Sequence, residues 1–227
     1  MKAMLFDLDD TLYPEIDFVK SGFRIVADYL GSKYNLNKNS LLTQMVEKLQ
    51  KEGRGRIFNH LLYDLGLHSE KEVNFLVNLY RSHQPTIHLY NDAIPTLRHL
   101  KQIGIRLGIV TDGMASVQNN KIAALSLKWL FDVIICSDEL GRECWKPSII
   151  PYQTALDLLQ VLPPEATYVG NDPSKDFISP NCMGMLTIQV KRQRQNNSVL
   201  DTVPEAASAR YVVNSLTEIV PIIEEKH

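Results

Sequence analysis

Hydrophobic positions along this chain change their period twice. An apolar run, Met4-Leu5-Phe6, ends in Asp7-Leu8-Asp9-Asp10-Thr11. From Asp17 to Arg81 the spacing becomes that of helices. Phe18, Gly22, Ile25, Val26 and Tyr29 share one stripe, and Leu41, Leu42, Met45, Val46 and Leu49 a second. Ile57, Phe58, Leu61, Leu62 and Leu65 repeat the pattern, as do Val73, Leu76, Val77 and Tyr80. Gly66 is placed to end the third helix. The segment has no strand pattern, so it reads as a small helical bundle inserted after the first strand.

Beyond about Pro85 strands and helices alternate. Asn91 or Asp92 caps a helix carrying Ile94, Leu97, Leu100 and Ile103, and Gly104 stops it. Strands are expected at Ile105–Val110, Val133–Cys136, Ala166–Gly170, Met185–Val190 and Arg210–Val213. Helices are expected from Ser116 to about Leu127, from Ser148 to Gln160 and from Leu216 to Glu224. This alternation implies βαβ units and a largely parallel sheet, whose ligands bind at the carboxyl ends of the strands. The fold class is therefore α/β, with a Rossmann-like core over 1–13 and 87–227 and an inserted helical bundle over 14–86. Hinges are expected near Tyr13-Pro14 and before Tyr90.

Composition adds exclusions. At 227 residues the chain can bury a sizeable core, and 44% hydrophobic with 22% charged residues is ordinary for a globular protein. The net charge of −2 argues against a general nucleic-acid or membrane-surface binder. No apolar run is long enough to span a bilayer, and the N-terminal residues carry no signal-peptide pattern. Cys136, Cys144 and Cys182 lack CxxC spacing and read as reduced thiols of a cytoplasmic protein. His60, His68, His83, His88, His99 and His227 form no metal-binding pattern and read as structural or surface residues. Lys191-Arg192-Gln193-Arg194-Gln195-Asn196-Asn197 reads as an exposed loop.

The candidate chemistry lies at the strand ends. Side chains alternate along a strand, so Asp7 and Asp9 are expected to project to one side at its end. Paired carboxylates suit a hard divalent ion such as Mg²⁺, with an oxygen nucleophile beside it. Ile109-Val110-Thr111-Asp112-Gly113 puts a hydroxyl and free turn amides after a second strand. Lys146-Pro147 precedes a helix, from where an ammonium reaches back to the sheet edge. Tyr168-Val169-Gly170-Asn171-Asp172-Pro173-Ser174-Lys175-Asp176 is a strand running into an oxygen-rich loop.

In this order the four segments resemble motifs I to IV of the haloacid dehalogenase (HAD) superfamily, in particular its phosphatases with a helical C1 cap inserted after motif I. The resemblance implies that Asp7 attacks phosphorus and becomes an aspartyl phosphate. It implies that Asp9 protonates the leaving oxygen and then activates water. Thr111, with amides near Asp112 and Gly113, would hold the phosphoryl oxygens, and Lys146 would neutralise charge on nucleophile and phosphate. Mg²⁺ would be held by the Asp7 carboxylate, the Asp9 carbonyl and motif IV. That motif departs from its usual Gly-Asp. Gly170-Asn171 is followed by Asp172, so either Asn171 or Asp172 supplies the ligand. The expected register favours Asn171, with Asp176 acting behind it. A second departure is Ser179-Pro180 in place of the usual Gly-Ala, which should alter the helix start there.

The implied function is Mg²⁺-dependent hydrolysis of a small phosphomonoester, either a sugar phosphate or a nucleoside monophosphate. A phosphomutase and a non-catalytic phosphometabolite-binding protein are the competing readings. The presence of Asp9 favours phosphoryl chemistry over dehalogenation. Cap residues facing the site would set selectivity, and Gly53-Arg54-Gly55-Arg56 offers two cations, Arg54 and Arg56, on a break between cap helices. They serve either as substrate contacts or as a solvated turn. The implied partner is a small phosphorylated metabolite, with no nucleic acid and no membrane, bound by a monomer or homodimer.

Overall fold

Six strands form one parallel sheet in the order β3-β2-β1-β4-β5-β6. The structure is a computed structural model that describes residues 1–192 and 204–225. The strands are β1 (Ala3–Phe6), β2 (Arg106–Thr111), β3 (Val133–Cys136), β4 (Ala166–Gly170), β5 (Leu186–Val190) and β6 (Tyr211–Val213). Strands β1, β2 and β4 are apolar on nearly every residue and buried on both faces, as a parallel sheet between helices requires. The registers Phe6 beside Ile109 and Phe6 beside Val169 align the carboxyl ends of the three central strands. The chain leaves β1 in one direction for β2 and β3 and in the other for β4 to β6. The switch point, where ligand crevices form in such sheets, lies between β1 and β4.

The helices of this unit are α5 (Ala93–Gln102), α6 (Ala115–Ala124), α7 (Ile150–Leu159), α8 (Ile178–Cys182) and α9 (Ile219–Glu224). Helix α7 lays Tyr152, Ala155, Leu156 and Leu159 against the sheet, in one core with Leu5, Val110, Ile135 and Tyr168. Asp92 stands at the N-cap of α5, but its carboxylate makes no cap bond there. It accepts instead from Arg192 Nη1 at 2.6 Å and from the Leu216 amide at 2.7 Å. This corrects the exposed-loop reading at one position. Arg192 is buried and lies over the Tyr90 ring at 3.9 Å, because a guanidinium can stack and pair at once. Gln193 to Asn197 and His227 lie outside the described residues.

Residues Glu15–Ile87 form a separate compact unit, while Met1–Pro14 and the chain from His88 onward form the sheet unit. The helical unit contains α1 (Glu15–Tyr34), α2 (Lys38–Glu52), α3 (Ile57–Asp64) and α4 (Glu70–Ser82). Asn37 and Ser69 cap α2 and α4 by accepting from the amides of Ser40 and Glu72. The buried stripe of α1 is Val19, Phe23, Val26 and Leu30, together with Phe18 and Gly22, and Ile25 faces out. The expected stripe is therefore rotated toward Phe23, because Phe58 and Tyr80 gather around that ring. Gly22 is needed for this packing, since a Cβ there would overlap the Tyr80 ring. Among the described residues no helix is long and apolar enough to cross a membrane.

Candidate active site

The strands end where carboxylates and cations begin. Strand β1 stops at Phe6, and the Asp7 amide donates to the Val169 carbonyl at 2.8 Å, which carries Asp7 just past the sheet edge. Lys146 Nζ donates to Asp7 Oδ1 at 2.6 Å, to Asp176 Oδ1 at 2.8 Å and to the Tyr168 hydroxyl at 3.1 Å. All three partners are buried, and the Lys146 side chain is 0% exposed. The loop that delivers Lys146 is tied down twice. Its amide donates to Asp112 Oδ1, which also accepts from Ser137 Oγ, and the Ser179 hydroxyl donates to the Pro147 carbonyl. Ser179, the residue that departs from the motif IV pattern, thus becomes a strut for the lysine loop, and α8 is a short helix that begins just before it.

Two carboxylates share one ammonium, so this cluster carries an excess negative charge. Burial pushes the Asp7 carboxyl up to about 7, the Asp176 charge adds to the rise, and Lys146 offsets only part of it. Burial also opposes ionisation of Asp176. Lys146 and the surrounding hydrogen bonds outweigh it and hold that carboxyl below its usual value. For Lys146, burial is overcome by Asp176 and Asp7, and its pKa lies well above the ordinary lysine value. Asp176 Oδ2 accepts from the Asn171 and Asp172 amides at 3.0 and 2.9 Å. The close approach needs Gly170, because a Cβ there would lie 2.5 Å from Asp176 Oδ2.

Asp9 lies on the loop that follows β1. The strand has already ended, and Asp10 takes φ 55°, a left-handed conformation that turns the chain. Asp9 Oδ1 accepts from Lys121 Nζ at 2.7 Å and from the Tyr13 hydroxyl, and its Oδ2 from Lys121 Nζ at 2.9 Å and Gln118 Nε2 at 3.0 Å. Burial opposes its ionisation, but Lys121 and these hydrogen bonds prevail and hold the carboxyl below its usual value. Gln118 Nε2 also donates to Thr111 Oγ1 at 2.6 Å, which joins the β1 and β2 ends into one network. The sequence reading missed Gln118 and Lys121. Their signal was available: three residues apart on α6, they share a face with Ile122, so the inward face of that helix is largely polar.

The motif IV loop divides its oxygens. Asn171 Oδ1 accepts weakly from Thr11 Oγ1 at 3.4 Å, whereas Asp172 Oδ1 accepts from the Ser174 amide and hydroxyl in a local Asx turn. Gly113 turns the β2 loop at φ 119°. In the helical unit, the Arg54 guanidinium forks onto both Glu15 oxygens at 2.6 Å, and Arg56 stands exposed at the N-cap of α3. Among the described residues no three His, Cys, Asp or Glu side chains gather as a ready-made metal centre.

A doubly wound sheet with a buried Asp-Lys-Asp cluster at its switch point defines an α/β protein with a carboxylate-based charge cluster at the carboxyl ends of its strands. Residues 4–190 match the family described as haloacid dehalogenase-like hydrolase, and the chain belongs to that family. It is 34% identical to a glyceraldehyde 3-phosphate phosphatase of Methanopyrus kandleri, over 85% of this chain and 84% of that protein. A glyceraldehyde 3-phosphate phosphatase of Methanocaldococcus jannaschii is 28% identical over 99% of this chain and 97% of its own length. Among solved structures, a HAD phosphatase from Thermococcus onnurineus superposes with a TM-score of 0.64 at 27% identity, covering 98% of both chains.

Proposed function

We propose that this chain is a Mg²⁺-dependent phosphatase of small phosphomonoesters that works through a phosphorylated Asp7. The observation that carries the reading is the buried ammonium of Lys146 held 2.6 Å from Asp7 Oδ1 at the switch point. It lets an anionic nucleophile meet an anionic phosphate. An oxygen of Asp7 attacks phosphorus as the bond to the leaving oxygen breaks; Asp9, ionised in the free protein, takes up a proton that arrives on the substrate phosphate and passes it to that oxygen. Water then gives its proton to Asp9 and attacks the aspartyl phosphate, which releases Asp7 and inorganic phosphate. Thr111 and the amides of Asp112 and Gly113 hold the phosphoryl oxygens. The names of these two relatives favour a phosphorylated sugar or aldehyde over a nucleoside monophosphate.

The donor chemistry fits Mg²⁺. Asp7 and Asn171 supply hard oxygens from adjacent strand ends, and the excess negative charge of the Asp7-Lys146-Asp176 cluster invites a cation. When bound, Mg²⁺ supplies positive charge that keeps Asp7 ionised and neutralises the phosphate. The side-chain ligand from this loop is assigned to Asn171, since Asp172 Oδ1 accepts from Ser174 in a turn, with Asp176 holding the loop amides from behind and Asp172 the alternative ligand. The helical unit is assigned the role of a cap that reads the untransferred part of the substrate, with Arg54 and Arg56 as its contact residues.

The test is phosphate release from a panel that includes glyceraldehyde 3-phosphate, other sugar phosphates and nucleoside monophosphates, with Mg²⁺ and with chelator. Mass spectrometry of acid-quenched protein should find phosphate on the peptide containing Asp7. Activity that survives both chelation and Asp7→Asn would overturn the mechanism. In Mg²⁺ titrations Asn171→Ala should weaken the metal dependence. If only Asp172→Ala does so, the ligand assignment is wrong.

A further inference from the structure

Asp9 accepts four hydrogen bonds from three side chains, and two of those side chains belong to α6. Lys121 and Gln118 project from successive turns of that helix and are buried, with 4% and 1% of their surface exposed. Burying an ammonium and an amide is costly unless they are satisfied. Here both point at one carboxylate, and Gln118 reaches a second acceptor, Thr111 Oγ1. The helix itself is fixed relative to the sheet unit, because the amide of its first residue, Ala115, donates to Asp138 Oδ2 at 2.9 Å, and Asp138 is held by Trp145. The pair therefore forms a rigid mount behind the carboxylate and the hydroxyl.

We infer that Lys121 and Gln118 are positioning residues that aim the Asp9 carboxylate at the leaving oxygen and hold Thr111 in register with it. This inference rests on the phosphatase reading, in which Asp9 handles the proton. Both act through Asp9, and Gln118 also through Thr111. Proton delivery matters most when the leaving group is a poor one, so a badly aimed Asp9 harms alkyl and unactivated aryl esters most. A residue that merely keeps the protein folded would harm all esters alike.

The experiment measures kcat/KM for aryl phosphates running from 2,4-dinitrophenyl through 4-nitrophenyl to phenyl phosphate. This constant reports the step in which the leaving group departs. Lys121→Met keeps the buried hydrocarbon stem, and Gln118→Leu keeps the volume of the amide. In both variants phenyl phosphate should lose about 100-fold, near the lower bound for general acid catalysis. The dinitrophenyl ester should lose far less, so the dependence on leaving-group acidity becomes steeper. On an Asp9→Asn background neither substitution should steepen it further, since the group they aim is gone. Losses equal across the series, or steepening that persists without Asp9, would overturn the inference. Asp9→Asn alone separates the two failures. If it leaves the dependence flat, the proposed proton role fails. If it steepens the dependence and Lys121→Met does not, only the positioning role fails.

Discussion

The two units of this chain bury different kinds of residue. Among the described residues, every buried aspartate, lysine and arginine lies in the sheet unit, including Asp7, Lys121, Lys146, Asp176 and Arg192. In the helical unit the buried polar residues are Ser21 and His83, and the interior is an aromatic and aliphatic cluster around Phe18, Phe23, Phe58 and Tyr80. Burial holds His83 below the usual histidine pKa. An apolar interior stabilises a fold at little electrostatic cost. Buried charges are a poor source of stability, and here they converge past the carboxyl ends of the strands, where the proposed active site lies.

That contrast breaks most visibly at Lys146. Lys146→Met leaves Asp7 and Asp176 buried without their shared cation. Activity should fall by at least about 100-fold, and stability by about 3–5 kcal/mol, the usual cost of orphaning a buried charge. Adding Asp176→Asn should return part of the stability but none of the activity. Denaturant unfolding alongside phosphate-release assays checks both.

Phe23→Ala in the helical unit should cost about 3–5 kcal/mol through cavity formation alone. Its cost should be independent of pH between about 5 and 8, because Phe23 packs among neutral groups. The measurement is unfolding at several pH values, and a pH-dependent cost would show that the helical interior is electrostatically active after all.

A smaller effect tests the sheet unit in the same window. Asp7 titrates at about 7 in the folded, chelated protein, against 3.8 for an ordinary aspartate in an unfolded chain. The unfolded chain therefore releases this proton first, and native stability drops as pH rises from about 4 through 7. Asp7→Asn cannot titrate. Its stability relative to the parent should climb over that window by a few kcal/mol at most, since each tenfold change in acidity is worth about 1.4 kcal/mol. Unfolding of both proteins in chelator across the window is the measurement. A flat or falling difference would mean that Lys146 compensates Asp7 fully.

The smallest effect is expected at Arg54. Its pair with Glu15 is well exposed, so Arg54→Ala should cost under about 1 kcal/mol of stability. If Arg54 or Arg56 also reads the untransferred part of the substrate, replacement by alanine should raise KM for the best natural substrate and spare a plain aryl phosphate. Equal effects on both substrates would leave these arginines as a solvated turn.

Legible in the sequence were the order of elements, the helical insertion, the three strand ends that hold Asp7, Thr111 and the 170–176 loop, and the segment before a helix that carries Lys146. Each of these is local: a hydrophobic period, a breaking glycine, a polar cluster at the end of an apolar run. Tertiary structure alone decided how the charges are shared. Period and spacing could not tell that Lys146 serves two carboxylates, that Asp172 closes a turn while Asp176 holds the loop amides, or that Arg192 turns inward onto Tyr90 and Asp92. They also missed Gln118 and Lys121, whose partner Asp9 is more than 100 residues away in the chain. The physical reason is range. Helix and strand patterns are written in neighbours along the chain, whereas a buried charge is defined by whatever distant residue the fold brings within hydrogen-bonding distance.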